Sequence, residues 1–314
     1  MIWTTPQLPR LREPRRRCRR RGAIYAVMLG IAILVSLIGL SAVAVGRVNM
    51  RVANVGGNGS DAELLALSAI EHAAATIGTD TAWRSRYGND VETAPVTLGR
   101  GSFTWKLVDE TDGSLTTGGL QPVRVWGIGR SGEARRCYSV QLAPGGTNLP
   151  TNPGMEQGLT AYEVQNADCV LESWTDQPRN GAKYLLVKSR LDRTGGPQQN
   201  LTGKIVSGNS YYVELWAKMT SASEEPWLCF VIKKAGQADT VYKVRAQPAK
   251  STDWTRVYGT LTPSWSGTPD SVYLRIETNS TAQDFKIDDL KVVEGTASTP
   301  MVPALDSWRQ EPLP

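Results

Sequence analysis

The C-terminal half of the chain alternates between apolar and polar positions. Across Tyr211 to Met219, the residues Tyr211, Val213, Leu215, Ala217 and Met219 fall on one side, while Tyr212, Glu214, Trp216 and Lys218 fall on the other. A period of two marks a strand with one buried face. Val272, Leu274 and Ile276 alternate in the same way with Tyr273, Arg275 and Glu277, and Leu185 and Val187 with Tyr184, Leu186 and Lys188. Turn-forming clusters separate these runs, among them Pro178-Arg179-Asn180-Gly181, Thr194-Gly195-Gly196-Pro197 and Ser266-Gly267-Thr268-Pro269. Short strands at this spacing predict an all-β antiparallel sandwich over residues 148–296.

The N-terminal half has a different rhythm. Ala23 to Val45 is a 23-residue run without a charge, and twelve of its residues are Leu, Ile or Val. As a helix it would be about 34 Å long, enough to cross a hydrocarbon core of about 30 Å. Those twelve residues alone favour insertion by roughly 4 to 7 kcal/mol. Asp61 to Ile77 then reads as a second helix, capped by Ser60 or Asp61, with Leu65, Ala69, Ala73 and Ile77 on one stripe. Gly56-Gly57-Asn58-Gly59 is expected to interrupt the helical run before it. Ser102 to Asp109, Gln121 to Gly129 and Glu133 to Ala143 read as strands of a small sheet. The resulting division is a basic tail (1–22), a transmembrane helix (23–45), a small α+β domain (46–145), the sandwich (148–296) and a flexible Pro-rich tail (297–314).

Charge sharpens this division. The formal net charge is +5, yet residues 1–22 hold eight arginines and one glutamate, which leaves the remainder of the chain at −2. No nucleic-acid partner is expected for the folded part. The arginines at 15, 16, 17, 19, 20 and 21, set against Arg47 and Arg51, predict a single-pass inner-membrane protein with a cytoplasmic N-terminus. The C-terminal domains are then periplasmic or extracellular.

Candidate catalytic chemistry is sparse. The single histidine, His72, lies on the Asp61 to Ile77 helix without a nucleophile or an orienting acid near it in sequence. Asp288 and Asp289 are adjacent in a strand and should point to opposite faces, which is wrong for a glycosidase pair. The cysteines at 18, 137, 169 and 229 form no zinc spacing. Cys169 and Cys229 share the β-domain, so either a disulfide or two buried thiols is expected there. A non-enzymatic protein is expected.

The order of NPGMEQGLTAY, RNGAKYLLVKSR, GPQQNLTGKIVSGNSYYVELWAKM, STDWTRVYGTLT and DFKIDDLKVVEG resembles the carbohydrate-binding modules of families 4, 9 and 22. That resemblance implies a galactose-binding-like jelly roll that binds β-glucan or xylan, often with a structural calcium. By the same resemblance Glu277 takes the place of a ligand-binding glutamate, and Tyr273 and Tyr242 take those of aromatics. Thr194 stands where the family 22 modules carry a tryptophan. Sugar rings pack C–H faces on aromatic rings and direct hydroxyls to fixed donors and acceptors, so Arg275 joins this set, and Trp227 and Trp265 are further platforms. Trp216 and Trp254 read as structural. The resemblance also implicates Glu156 and Asp288 in the calcium site, hard oxygen ligands drawn from both ends of the domain.

The junction Arg21-Gly22-Ala23-Ile24-Tyr25, with the apolar helix and small sheet behind it, resembles the start of a minor type IV pilin or pseudopilin. That resemblance implies cleavage after Gly22 and pilus or secretion-system subunits as partners. Val27 departs from it, because major pilins carry a glutamate there. The expectation is a membrane-anchored, pilin-like protein displaying a carbohydrate-binding module for adhesion to, or capture of, polysaccharide. The alternatives are a structural assembly subunit whose β-domain binds a protein, and an accessory subunit of a glycoside hydrolase system. N-terminal sequencing separates the readings of the apolar segment: processing by a pilin-type peptidase should yield Ala23 as the first residue, a simple anchor should retain Met1, and a cleaved signal peptide should begin at Val45.

Overall fold

The computed structural model describes residues 19–117, 119–165, 169–245, 248–280, 282–295 and 299–313. Cys18 lies outside the described residues. The chain divides into two compact units, Met1–Ser60 and Asp61–Pro314. Helix α1 (Arg19–Thr79) is one unbroken assignment, so Gly22 and Ala23 are helical and Ser60 and Asp61 are interior positions rather than caps. The expected interruption at Gly56-Gly57-Asn58-Gly59 does not occur. Glycine weakens a helix by about 1 kcal/mol per residue but removes none of its hydrogen bonds. In the first unit the apolar side chains from Tyr25 onward, such as Leu34 and Ile38, are exposed, and the helix is long and apolar enough to cross a membrane by length and composition.

The second unit begins with the last turns of α1 lying on a small antiparallel sheet. Strands β1 (Val96–Leu98), β2 (Gly101–Val108), β3 (Val123–Ser131) and β4 (Ala134–Pro144) follow the short helix α2 (Trp83–Arg86) and pair in chain order. Leu65, Ala69, Ala73 and Ile77 are all buried, and they pack with Phe103, Trp105, Val125 and Val140. Small residues bring helix and sheet unusually close. A Cβ on Gly129 would lie 2.0 Å from the Ala62 carbonyl oxygen, and one on Gly127 would lie 2.2 Å from that of Ala66.

The sandwich comprises β5 (Glu163–Val164), β6 (Val170–Trp174), β7 (Tyr184–Lys188), β8 (Pro197–Asn200), β9 (Ser210–Met219), β10 (Pro226–Lys233), β11 (Thr240–Arg245), β12 (Thr255–Leu261), β13 (Ser271–Thr278) and β14 (Phe285–Gly295). They form two five-stranded sheets, ordered β11-β10-β13-β8-β5 and β12-β9-β14-β7-β6. Between the sheets lies one core, to which β9 gives Tyr211, Val213, Leu215, Ala217 and Met219 and β13 gives Val272, Leu274 and Ile276. The opposite parity of β9 departs from expectation. Tyr212 and Glu214 are buried too, because the small sheet covers them: Tyr212 packs with Leu120 and Ala143, and Arg256 bridges Glu214 to Gln141 of β4.

Residues 297–314 were expected to form a flexible tail, but the described part returns to the small sheet. β15 (Met301–Pro303) pairs with β4 through Met301 opposite Pro144 and Pro303 opposite Leu142, and β16 (Arg309–Gln310) pairs with β4 at Ser139 and Tyr138. The prolines do not prevent this, since a proline is tolerated at a sheet edge where its missing N–H faces outward. The sandwich is thereby an insertion between two neighbouring strands of the first sheet. The close helix–sheet contact yields a test: Gly129→Val should destabilise the second unit by about 3 kcal/mol or more, because a helix backbone cannot yield as a side chain does. A thermal melt with an unchanged midpoint would contradict the packing described.

Candidate functional site

Strand parity sends one set of β10 and β13 side chains into the core and the other set outward. Register then assembles the outward set across the sheet. Lys243, Cys229, Arg275, Gln198 and Glu163 form one cross-strand row on β11, β10, β13, β8 and β5. Val241, Val231, Tyr273 and Asn200 form the next, and Trp227 lies opposite Glu277 on the other side. Trp227, Cys229 and Val231 make an apolar cluster of their own against which Tyr273 packs. Aromatic surface and charge therefore share one face.

Glu277 is the centre of this face. It is only 2% exposed, and it receives Lys243 Nζ at 3.1 Å and Arg275 Nη1 at 3.4 Å. Lys243 also stands 4.3 Å over the Trp227 ring, and Lys233 stands 5.3 Å over that of Tyr273. A buried carboxylate between two cations is held in one orientation, and each cation keeps donors to spare. Two buried atoms in the same row, Gln198 Oε1 and Arg275 Nε, have no hydrogen-bond partner among the described residues. Burial, reinforced by the Glu277 charge, pushes the Cys229 thiol far above its ordinary value, so it sits here as a neutral apolar group.

The expected sugar contacts thus separate into two groups. Tyr273, Arg275, Glu277 and Trp227 come together, although Trp227 is buried rather than an open platform. Tyr242 does not join them. It is directly opposite Phe230, so it faces the core, and its hydroxyl donates to the Ser264 carbonyl. Trp265 also packs against the core, with its backbone N–H bound to Ser207 Oγ at 2.7 Å. Thr194 is half-buried in the loop before β8, where it donates to Asp192 at 2.7 Å. The sequence reading missed Lys243 and Gln198. For Lys243 a signal existed, because Tyr242 and Val244 share the apolar parity of their strand.

Glu156 and Asp288 are brought to one loop, but their oxygens are occupied by backbone donors. Glu156 accepts the N–H groups of Ala182 at 2.9 and 3.1 Å and of Lys183 at 3.2 Å. Asp288 Oδ2 accepts those of Arg179 and Asn180 at 3.0 and 3.2 Å, and its Oδ1 accepts that of Asp289 at 2.8 Å. Backbone N–H groups therefore hold both carboxylates in place, and each carboxylate keeps capacity for a further partner. No group of three or more acidic, His or Cys side chains suited to a metal forms among the described residues.

Asp288 and Asp289 were expected on opposite faces, but they address the same loop. A register shift lies between Asp288 and Lys291, and Asp289 has φ of 49°, so the bulge turns its carboxylate to Arg179 as well. Cys169 belongs to the core and Cys229 to the outer cluster, so a sheet lies between them and they are not positioned for a disulfide. His72 is exposed on α1 beside the rings of Phe103 and Trp105, at 5.7 and 6.4 Å between centroids.

Comparison with known proteins places the sandwich. Residues 147–283 match the family model described as carbohydrate binding domain. The chain is 28% identical over 151 residues to endo-1,4-beta-xylanase A of Thermoanaerobacterium saccharolyticum, an alignment covering 46% of this chain and 13% of that protein. It is 26% identical over 149 residues to exoglucanase XynX of Acetivibrio thermocellus, covering 46% of this chain and 14% of that protein. The chain thus spans less than a sixth of the length of these curated relatives. Among solved structures, the CBM22-1 xylan-binding domain from Paenibacillus barcinonensis Xyn10C superposes with a TM-score of 0.42 at 15% identity, covering 48% of this chain and 97% of that one. A xylan-binding domain from CBM 22 superposes with a TM-score of 0.43 at 17% identity, covering 49% of this chain and 99% of that one. The C-terminal half is a β-sandwich whose sequence matches the carbohydrate binding domain model.

The Asp288 carboxyl gives a pH test. Burial, with the Asp289 charge behind it, pushes its pKa up to about 6, against the pull of its three N–H donors. Because the folded value exceeds the unfolded one, its stabilising contribution is complete below about pH 4 and is lost as the pH rises through about 6. The melting temperature of Asp288→Asn relative to the native chain should therefore rise between pH 4 and pH 8. A difference that does not vary with pH would contradict the raised value.

Proposed function

We propose that the protein is a membrane-anchored, non-catalytic polysaccharide-binding protein whose β11-β10-β13-β8-β5 face takes a β-linked glycan of the xylan type. The observation that carries this reading is the ion-paired Glu277 at the centre of a face that also bears Tyr273, Trp227 and Lys243. A sugar ring packs its C–H face on Tyr273, while Lys243 and Arg275 donate to hydroxyls and Glu277 and Gln198 accept from them. The groups are held before any ligand arrives, so little side-chain freedom is lost on binding. The xylan choice draws its support from the relatives, whose names are those of xylanases and xylan-binding domains. The non-catalytic part of the reading draws its support from the matched family model, which is that of a carbohydrate binding domain.

In this reading α1 crosses the inner membrane with its arginine-rich end in the cytoplasm, and the second unit works outside it. The small sheet is the head of a pilin-like subunit, and Gly22 and Ala23 form its processing point. Adhesion to polysaccharide, or its capture, would be the task of the whole.

Binding can be measured by calorimetry on the full chain in a detergent without sugar headgroups, with xylan as titrant. Tyr273→Ala should weaken binding about three- to tenfold through lost stacking. Glu277→Gln should weaken it about tenfold or more, and should also lower the melting temperature because two cations lose their charged partner. Leu274→Ala should cost about 2 to 5 kcal/mol of stability and leave the affinity of the folded fraction intact. Unchanged affinity in both Tyr273→Ala and Glu277→Gln would remove this face from consideration.

A further inference from the structure

The outer face of the other sheet carries an arrangement that the groove does not use. Its half nearest the small sheet is covered, through Tyr212, Glu214 and Arg256. In the remaining half Tyr184 and Asp288 are covered by Trp254 and the Arg179 loop, while Leu186, Lys218 and Lys286 are half-buried and Trp174 is exposed. There Glu172, Leu186, Lys286 and Lys218 form one row across β6, β7, β14 and β9. Lys286 and Lys218 are direct cross-strand partners. Like charges in that position destabilise a sheet, since their Cβ atoms lie only about 5 Å apart. Neither lysine joins an ion pair among the described residues. Of the nearby acids, Glu172 binds Lys188 Nζ at 2.6 Å, while Asp176 accepts the Tyr184 hydroxyl and also feels the Lys286 charge, which leaves Lys218 as the lysine with no acid beside it among those described.

An aromatic ring stands ready beside this pair. Trp174, on the neighbouring row at the edge strand, is 41% exposed, yet its indole N–H donates to Glu172 at 2.8 Å. The ring is fixed while its face stays open. Tyr184 lies opposite Trp174, and Lys286 extends over the Tyr184 ring at 4.7 Å. Two ammonium groups outside any ion pair among the described residues, and an oriented indole on one sheet face, are the complement of a sugar chain bearing carboxylates. The ring takes a sugar C–H face and the lysines take the acid.

We infer that this face is a second glycan contact, selective for uronate-bearing polysaccharide, with Trp174 as the platform and Lys218 and Lys286 as the carboxylate receptors. The inference rests on the carbohydrate-binding reading of the sandwich and adds to it a preference for acid-substituted chains. Binding there offsets the repulsion between the two lysines. The side-chain stems are half-buried along the sheet, so the ammonium groups hold their separation with little further ordering.

The test compares a glucuronate-substituted xylan with the same xylan after reduction of its carboxyl groups, using the full chain in a detergent without sugar headgroups. The native chain should bind the acidic xylan about tenfold more tightly at low salt, a preference that fades as ionic strength rises. Lys218→Gln with Lys286→Gln should abolish the preference and leave affinity for the reduced xylan unchanged. That variant should also melt no lower than the native chain, because a repulsive pair has been removed. Trp174→Ala should weaken binding of the acidic xylan, whereas Tyr273→Ala should lower affinity for both xylans and keep their ratio. Equal affinity of the native chain for the two xylans would overturn the inference, as would a preference that survives in the double lysine variant. So would a double variant that loses only its binding to anionic phospholipid vesicles. Failure of the native chain to bind the reduced xylan would instead overturn the groove reading.

Discussion

Strand β4 uses both of its edges, and the architecture of the compact unit follows from that. One edge pairs with β3, and the other pairs with β15 and β16 from the far end of the chain. An open edge of eleven residues would leave a row of backbone donors and acceptors without partners and would template association with another chain. Closing it with the C-terminal segment obliges the chain that leaves the small sheet after Pro144 to come back at Met301. The whole sandwich has to fit into that excursion. Its outer sheet meets the small sheet through Tyr212, Leu120 and Ala143 and through the Arg256 bridge.

That contact decides which sandwich faces remain for ligands. Each strand pair exposes one parity to the core, leaving two outward faces. The β12-β9-β14-β7-β6 face is half covered, which buries Glu214 against Arg256 at 2.8 Å. The β11-β10-β13-β8-β5 face holds its charge within itself, around Glu277. A buried ion pair contributes little net stability and a great deal of orientation, because its members cannot leave one another without stranding a charge. In the proposed reading, ligand contact and structural constraint therefore rest on the same atoms.

Much of this was legible from alternation alone. Tyr211 to Met219 and Val272 to Thr278 reveal their inner faces because a strand puts every second side chain on one side, and the Leu65 to Ile77 stripe does the same at helical spacing. Other features depend on contacts that a linear pattern does not carry. Tyr242 was misassigned because its family position outweighed the apolar parity it shares with Val244. The bulge at Asp289 reversed the face of a carboxylate, since one positive φ shifts the register of everything around it. The prolines of the final segment resemble a disordered tail, and only the unpaired edge of β4, far away in sequence, makes a strand of Met301 to Pro303. Glu156 and Asp288 have the right chemistry for a cation, and only geometry reveals that backbone N–H groups also bind their oxygens.

The cross-strand pairing of Met301 with Pro144 has an evolutionary meaning. The two ends of the inserted sandwich leave and re-enter the small sheet side by side, and Gly145 N–H already bonds the Pro300 carbonyl at 2.6 Å. A tight turn in place of the excursion would convert β4 and β15 into an ordinary hairpin. A host sheet of this kind can gain, lose or exchange its inserted sandwich at one junction, with its own strand pairing kept and only the contacts around Tyr212 and Arg256 given up. The lineage of the sandwich and that of the sheet that carries it need not be the same.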